Sequence, residues 1–517
     1  MRIGLLVSAP HVPGYALDLE AQLAALRAPR STSEVMLVGA AVSEAERRPA
    51  SLTILLELER VLNGRARRWL ADVVPTPASV SSGTAADTAC LPELLIDLTS
   101  RRDVPRRMTD ARVLTPLLDG HPIERGLWTA LLDRRAPLIS LHDSHSSETL
   151  PLALPAIEAP HRLLESAEAV LAHLLRTLTD AVARIIAGGS LVAMPVSPPP
   201  EPHIGRTRVA PAFLLDRIAR KARSAIAERL GRAPVWQTAW RKATTRTHPP
   251  SVFDTTRFQR LADDGQRYYA DPFVFAHDGV THLFVEELPY ATGRGILSHM
   301  ILQGDGQPVA TPVPVLETAH HLSYPLVFAA DGQIWMLPEC AASGRLDLYR
   351  ADPFPLRWTL HATLVEAPLH DATIFRHAGR WWITAGLALD GTSSWDTLVL
   401  YSAERLTGPW QAHPANPVLV DARSARPAGA IYEHGGALWR PAQDCTAGYG
   451  SALSLCRIDR LDDTSFAQSL VTTLRFGREG DCAGPHTLNF GGAREVVDLF
   501  APRATSGAEA SPPGAGA

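Results

Sequence analysis

Apolar and polar positions follow two rhythms along the chain, and the rhythm changes near its middle. From residue 1 to about 196, short continuous apolar runs are followed by stretches with an apolar residue every three or four positions. IGLLVS from residue 3 precedes DLEAQLAALRA, and EVMLVGAAV from 34 precedes SLTILLELERVL. ELLIDLTS from 93 and PLISLHD from 137 continue the series. Continuous apolar runs suit strands buried on both faces, so the alternation predicts parallel strands covered by helices. HRLLESAEAVLAHLLRTLTDAVARIIAGG from 161 predicts one long packed helix with a glycine stop, and the apolar run LVAMPV follows it.

From about 252 to 503 the helical rhythm disappears. Short aromatic-rich strands alternate with DG, HG and GG turns, which predicts an all-β region. The region is also a repeat. Aligning YADPFVFAHDG, SYPLVFAADG, HDATIFRHAG, RPAGAIYEHGG and GPHTLNFGG places Asp271, Tyr324, Asp371, Ala428 and His486 in one column, at spacings of 53, 47, 57 and 58 residues. An aromatic residue stands four positions before a glycine in the first four units, and a second strand follows in each: THLFVEE, QIWMLPE, RWWITAG and ALWRPAQ. The fifth, REVVDLF, is less regular. Several strands per period of about fifty residues predict a five-bladed β-propeller, in which equivalent side chains converge on the axis. The aligned column is therefore a candidate pocket lining.

Between the two rhythms, SPPPEP at 197–202 marks a stiff break. Residues 206–246 then carry eleven Lys and Arg against two acids, with Phe213, Leu214, Ile218, Ile226 and Leu230 available for one helical face. Such a helix can pack its apolar stripe between domains or lie on an anionic membrane surface; packing is the expectation. The predicted organisation is multidomain, α/β plus all-β: a Rossmann-like α/β domain at 1–196, a Pro-rich break and basic helical linker at 197–251, a five-bladed β-propeller at 252–503, and a low-complexity, disordered tail at 504–517.

Length and charge agree with this division. A chain of 517 residues exceeds one ordinary core, and a formal charge of -4 exerts no overall pull on nucleic acid. Cys90, Cys340, Cys445, Cys456 and Cys482 are scattered and never spaced as CxxC, so neither a disulfide framework nor a zinc site is expected. A cytoplasmic setting follows as an expectation, and no apolar run reaches spanning length. The α/β half holds no GxGxxG, GxxxxGK[ST] or GxSxG, so no cofactor is expected.

Residues 267 to about 460, through YADPFVF, HLSYPLVF, GQIWMLPE, LYRADPFPLRWTL, RPAGAIYEHGGALWRPAQD and YGSALSL, resemble the N-terminal propeller domain of glucosamine inositolphosphorylceramide transferases. In the plant members that domain precedes a separate glycosyltransferase domain, which has no counterpart in this sequence. More distantly, the column resembles five-bladed glycoside hydrolases of the family 43 type. That resemblance implies a general base at Asp271, an orienting and pKa-tuning Asp at Asp371, and a general acid near Pro427, where no carboxyl stands. Glycoside cleavage needs a protonated carboxyl as well as a carboxylate, so the missing acid favours transfer over hydrolysis. Glu287, Glu339 and Asp444 end second strands near the same rim and are candidates to replace it, Glu287 being preferred over Glu286 because it aligns with Glu339 from the strand end. Arg426, Arg440 and Gln443 are candidates to hold an anionic or hydroxylated ligand. Tyr324 and His486 complete the candidate substrate contacts. His370 and His486 lack the partners of a metal site, and none is expected. The N-terminal half is similar to formyltransferase-type α/β domains in its opening strand and layout, but the Asn, His and Asp of formyl transfer find no match, which implies a degenerate or repurposed domain.

These readings converge on a carbohydrate-active protein of surface-glycan or glycolipid assembly, cytoplasmic or peripheral to the inner membrane face. The alternatives are a non-catalytic glycan-binding module that serves a partner glycosyltransferase, and a formyl or acyl transferase acting through residues 1–196. No nucleic-acid partner is expected.

Overall fold

In the computed structural model of the chain, the described residues are 1–9, 12–28, 31–32, 34–41, 50–63, 69–70, 72–73, 80–82, 92–99, 111–191, 193–194, 210–229, 233–243, 258–303, 311–475 and 484–502. SPPPEP, Cys90, Cys482, Leu230 and the tail from 504 lie outside them. Cys340, Cys445 and Cys456 are free and buried.

The N-terminal half builds a seven-stranded sheet. In chain order its strands are Arg2–Ala9, Glu34–Ala41, Val80–Ser82, Leu94–Asp97, Arg112–Leu118, Ile139–Asp143 and Glu148–Ala153, and in space they run 7-6-5-4-1-2-3. The first five are parallel to their neighbours, and the last two add antiparallel. Ile3, Leu5, Leu6, Leu94, Leu95 and Ile96 are almost fully buried, as continuous apolar runs in a covered sheet should be. The helix Leu163–Ile186 sinks Leu163, Ala167, Val170, Leu171, Leu174, Leu178 and Val182 into the same core at helical spacing. It ends before Gly188, whose φ of +78° is the left-handed conformation of a helix stop.

The C-terminal half is a β-propeller made of antiparallel units. The first holds Arg267–His277, Val280–Pro289, Ile296–Leu302 and Val313–Leu316; the second Ser323–Ala330, Gln333–Glu339, Leu346–Ala351 and Trp358–Val365. The third is built on His370–His377, Arg380–Gly386 and Thr397–Ala403, and the fourth on Tyr432–His434, Ala437–Asp444, Ala452–Leu461 and Phe466–Leu474. The last takes Leu488–Gly491 and Arg494–Pro502 from the end of the chain. Its third strand, Pro234–Lys242, comes from the segment expected to be linker and pairs in full register with Arg494–Pro502. It also bridges Gln237 to Tyr269 of the first unit, so it joins the last unit to the first.

Each first hairpin turns on two consecutive left-handed residues: Asp278-Gly279, Asp331-Gly332, Ala378-Gly379, Gly435-Gly436 and Gly492-Ala493. This is the two-residue turn whose twist matches its strands, and it explains the DG and GG signals of the first, second and fourth units. A second left-handed position recurs before it. Asp271, Tyr324 and Asp371 have φ of 47°, 49° and 49°, each within a register shift of its strand. Such residues cost about 1–3 kcal/mol each and persist where surroundings hold them. Here the freed N–H groups are captured across units: Asp271 N–H donates to Asp498 Oδ2 (3.1 Å) and Tyr324 N–H to Asp271 Oδ2 (3.2 Å).

The two halves share buried contacts. Leu154 N–H donates to Val420 O and Ala422 N–H to Leu154 O, both at 2.9 Å, while His173 Nε2 lies 2.9 Å from Asp396 Oδ2.

Candidate functional site

One end of the propeller holds a cavity of about 210 Å³ lined by residues from every unit, among them Asp271, Glu286, His321, Glu339, His370, Arg426 and His486. Of the three residues in left-handed bulges, Asp271 lines this cavity, and Tyr324 and Asp371 do not. Trp236 and Tyr449 supply an aromatic wall, with ring centroids 4.0 and 5.3 Å from that of His486, and Tyr268 faces the same space.

Carboxylates and cations meet at the unit junctions. His486 Nε2 lies 2.8 Å from Asp271 Oδ1, and its Nδ1 lies 2.9 Å from Asp498 Oδ2. Burial opposes charge on the His486 ring, but the two carboxylates prevail and hold its pKa up at about 10. Burial raises the Asp271 carboxyl despite His486. Burial acts on Asp498 too, but His486 and the N–H groups of His486 and Thr487 outweigh it and lower that pKa. The donor atoms of Asp271, His486 and Asp498 all lie within 4.8 Å of one another. With both ring nitrogens facing carboxylates, the set forms an internal ion-paired triad, so His486 does have the clustered partners that the sequence did not show.

Around the ring, Glu286 Oε1 lies 3.2 Å from His321 Nε2, and Glu339 Oε1 lies 3.3 Å from His370 Nδ1. Arg426 donates from Nε to Asp371 Oδ2 (2.7 Å) and from Nη1 to Ser394 Oγ (2.8 Å). Burial lifts Glu286 to about 6 against the pull of His321. Burial would also lift Glu339, but the His370 contact and the Ala341 N–H bring it below the ordinary value. Burial raises Asp371 in spite of Arg426.

The sequence candidates divide. Asp271, Glu339, Arg426 and His486 line the cavity, while Gln443 stands behind it and donates to Asp371 Oδ2 (3.2 Å). Glu287 does not: it is buried against Arg267 Nη1 (2.5 Å) and Ser298 Oγ (2.7 Å), and Glu286 takes the cavity position. Register explains the correction. Ala270 pairs with Glu286 and Ser323 with Glu339, both immediately before the column residue, so counting from the strand end slipped by one and changed face. Tyr324 is fully buried, its hydroxyl 2.8 Å from Thr373 Oγ1 and accepting the Gly429 N–H (2.5 Å), and belongs to the core. Arg440 is spent on Gln468 and the carbonyls of Ala425 and Ser424. Asp444 accepts from Thr446 and Arg475. Neither lines the cavity.

Glu286, His321, Tyr268, Tyr449 and Trp236 were not among the sequence candidates. A signal existed for Glu286 in its pairing with the residue before the column. None pointed to Trp236, whose strand lies far upstream of its partners.

Residues 250–481 match the family described as "Glucosamine inositolphosphorylceramide transferase 1, N-terminal". The chain is similar to the glucosamine inositolphosphorylceramide transferase 1 of Oryza sativa subsp. japonica, 32% identical over 204 residues that cover 39% of this chain and 27% of that protein. The Arabidopsis thaliana protein of the same name is 33% identical over 221 residues, 41% of this chain and 28% of that one. The chain thus spans about a quarter of these relatives' length. Among solved structures, a family 117 glycoside hydrolase from Zobellia galactanivorans aligns with a TM-score of 0.34 at 9% identity, covering 53% of this chain and 92% of that one. The Cellvibrio cellulosa α-L-arabinanase complexed with arabinohexaose aligns at 0.31 and 15%, covering 44% and 86%.

Proposed function

We propose that residues 234–502 are a five-bladed propeller whose axial cavity binds a carbohydrate of a glycolipid or surface glycan under assembly and acts on it by transfer. The observation that carries this reading is the pairing of two cavity carboxyls with opposed tendencies, Glu286 lifted to about 6 and Glu339 held ionised, beside the aromatic faces of Trp236, Tyr268 and Tyr449. Carboxyls pushed apart in this way suit proton donation and charge stabilisation, and apolar ring faces suit sugar rings. Glu286 is the proton donor in this reading and Asp271, oriented by His486, the base. Asp371 acts through Arg426, which it fixes. The match of residues 250–481 supports a glycolipid setting.

The test is mass spectrometry of glycans and glycolipids incubated with the protein, with and without nucleotide sugars, beside Asp271→Asn and Glu286→Gln. Mass gain that vanishes in both variants supports transfer; unaltered turnover in both ends this assignment. A second reading, a binding module that presents glycan to a partner glycosyltransferase, draws on the pairing of Asp271, Glu286, Glu339 and Asp371 with a neighbouring unit's histidine or arginine. Retention of a glycan with no mass change would establish it.

A further inference from the structure

The basic helix Ala210–Arg229 turns its apolar stripe to solvent. Phe213 is 1% exposed and Arg217 Nη1 reaches Glu59 Oε1 (3.2 Å) on the helix Ala50–Asn63, so this side rests on the α/β domain. Leu215, Ile218 and Ile226 are 68%, 57% and 57% exposed. With Ala222 they recur at spacings of three and four, which aligns them on one stripe. At about 100° per residue that stripe lies roughly opposite Phe213. The neighbouring helix adds Ile54, Leu58 and Val61, which are also exposed. Six of the fourteen exposed large apolar side chains among the described residues thus fall on two helices. Of the stripe expected to pack, Phe213 and Leu214 do rest on the α/β core, while Ile218 and Ile226 stay exposed.

Charge identifies the occupant. The helix carries Arg217, Arg220, Lys221, Arg223 and Arg229 against Asp216 and Glu228, a net of +3. A second copy of the chain would set these cations against each other. An anionic bilayer answers both features at once, with acyl chains for the stripe and phosphates for the cations. We propose that this helix docks the protein peripherally on anionic lipid, with Leu215, Ile218 and Ile226 at the headgroup boundary and Lys221, Arg223 and Arg229, which flank or continue the stripe, against the phosphates.

Docking there has a consequence for the cavity. Arg229 ends the helix seven residues before Trp236, so the chain itself keeps the aromatic wall within ~25 Å of the helix end. That reach suits a lipid-borne glycan, and to this extent the inference deepens the function proposed above without depending on it.

The experiment is co-sedimentation of the full chain with phosphatidylcholine vesicles, with and without phosphatidylserine. Wild type should sediment with the anionic vesicles alone, and less as salt rises. Ile218→Ser/Ile226→Ser should abolish sedimentation at unchanged thermal midpoint. Lys221→Gln/Arg223→Gln/Arg229→Gln should weaken it about a hundredfold, at roughly fivefold per charge. Absence of wild-type binding, equal binding to both vesicle types, or full binding by the variants overturns the proposal. So does light scattering that shows a wild-type dimer made monomeric by the serine variant. Glycan binding in vesicle-free solution should be the same in all of these proteins, which separates failure of docking from failure of the cavity assignment.

Discussion

Replacing His486 by leucine tests whether the buried triad is held by charge. The imidazolium sits 2.8 and 2.9 Å from two carboxylates, and the His486 and Asp498 side chains are 3% and 0% exposed. Leucine leaves both acids buried without their shared cation. Removing one partner of a buried pair costs about 3–5 kcal/mol. In a domain of this size ~1 kcal/mol moves the thermal midpoint by about 2–4 °C, so His486→Leu should lower it by about 6–20 °C. The pH dependence gives the sign. The folded His486 pKa, about 10, lies above its ordinary 6.5, so its stabilisation is complete below about 6.5 and is lost as pH rises through about 10. The variant should lack that alkaline loss. Because burial raises Asp271, acid should protonate it and narrow the deficit. Asp271→Asn added to His486→Leu should recover much of the loss, since Asp498 still accepts three backbone N–H bonds. Thermal melts followed by circular dichroism across pH provide the measurement. A midpoint shift below ~2 °C, or a deficit indifferent to acid, would refute the reasoning.

Other substitutions probe the cavity separately. Glu286→Gln should reduce transfer by about 10²–10⁴-fold and remove the fall in rate as pH rises above about 6, read from a pH–rate profile. Trp236→Ala should weaken glycan binding roughly tenfold, the loss of one aromatic platform, by isothermal titration. Gly450→Ala should destabilise the site and lower the urea midpoint, because Gly450 has a φ of +58° and a Cβ there would lie 2.7 Å from both His486 Cβ and Trp236 Cη2.

Local signals carried the repeat far. The DG and GG pairs at 278–279, 331–332 and 435–436 are short-range instructions that need no distant partner, and each became a left-handed turn, while the HG signal at 434–435 fell one residue before its turn. The column emerged for the same reason, as Asp271 and Asp371 sit at fixed distances from those turns. Pro234–Lys242 was not legible because its register depends on Arg494–Pro502, more than 250 residues away, and its basic, aromatic composition reads equally well as linker. Glu286 and Glu287 differ only in face, and face is set by cross-strand register. The apolar stripe of the basic helix was visible in sequence, but which side would be covered depended on where Phe213 and Arg217 found partners.

The ring of pairs gives these facts one logic. Asp271 belongs to the first unit and its histidine to the last; Glu286 reaches the second unit, Glu339 the third, and Asp371 the fourth. Each carboxyl therefore fastens a junction while facing, or backing, the same cavity. Buried groups fixed in this way do not reorganise when a ligand's charge develops, which is the condition under which electrostatic stabilisation is strongest. The cost is that each cavity carboxyl is committed to a neighbour, so under the proposed function a substrate must compete for it or take a proton from it. Glu286, with a pKa of about 6 and a partly exposed imidazole beside it, can exchange its proton near neutrality while the Arg426–Asp371 and His486–Asp271 contacts stay intact. Under the proposed function, proton transfer at Glu286 would therefore leave the Asp271–His486 contact between the first and last units in place.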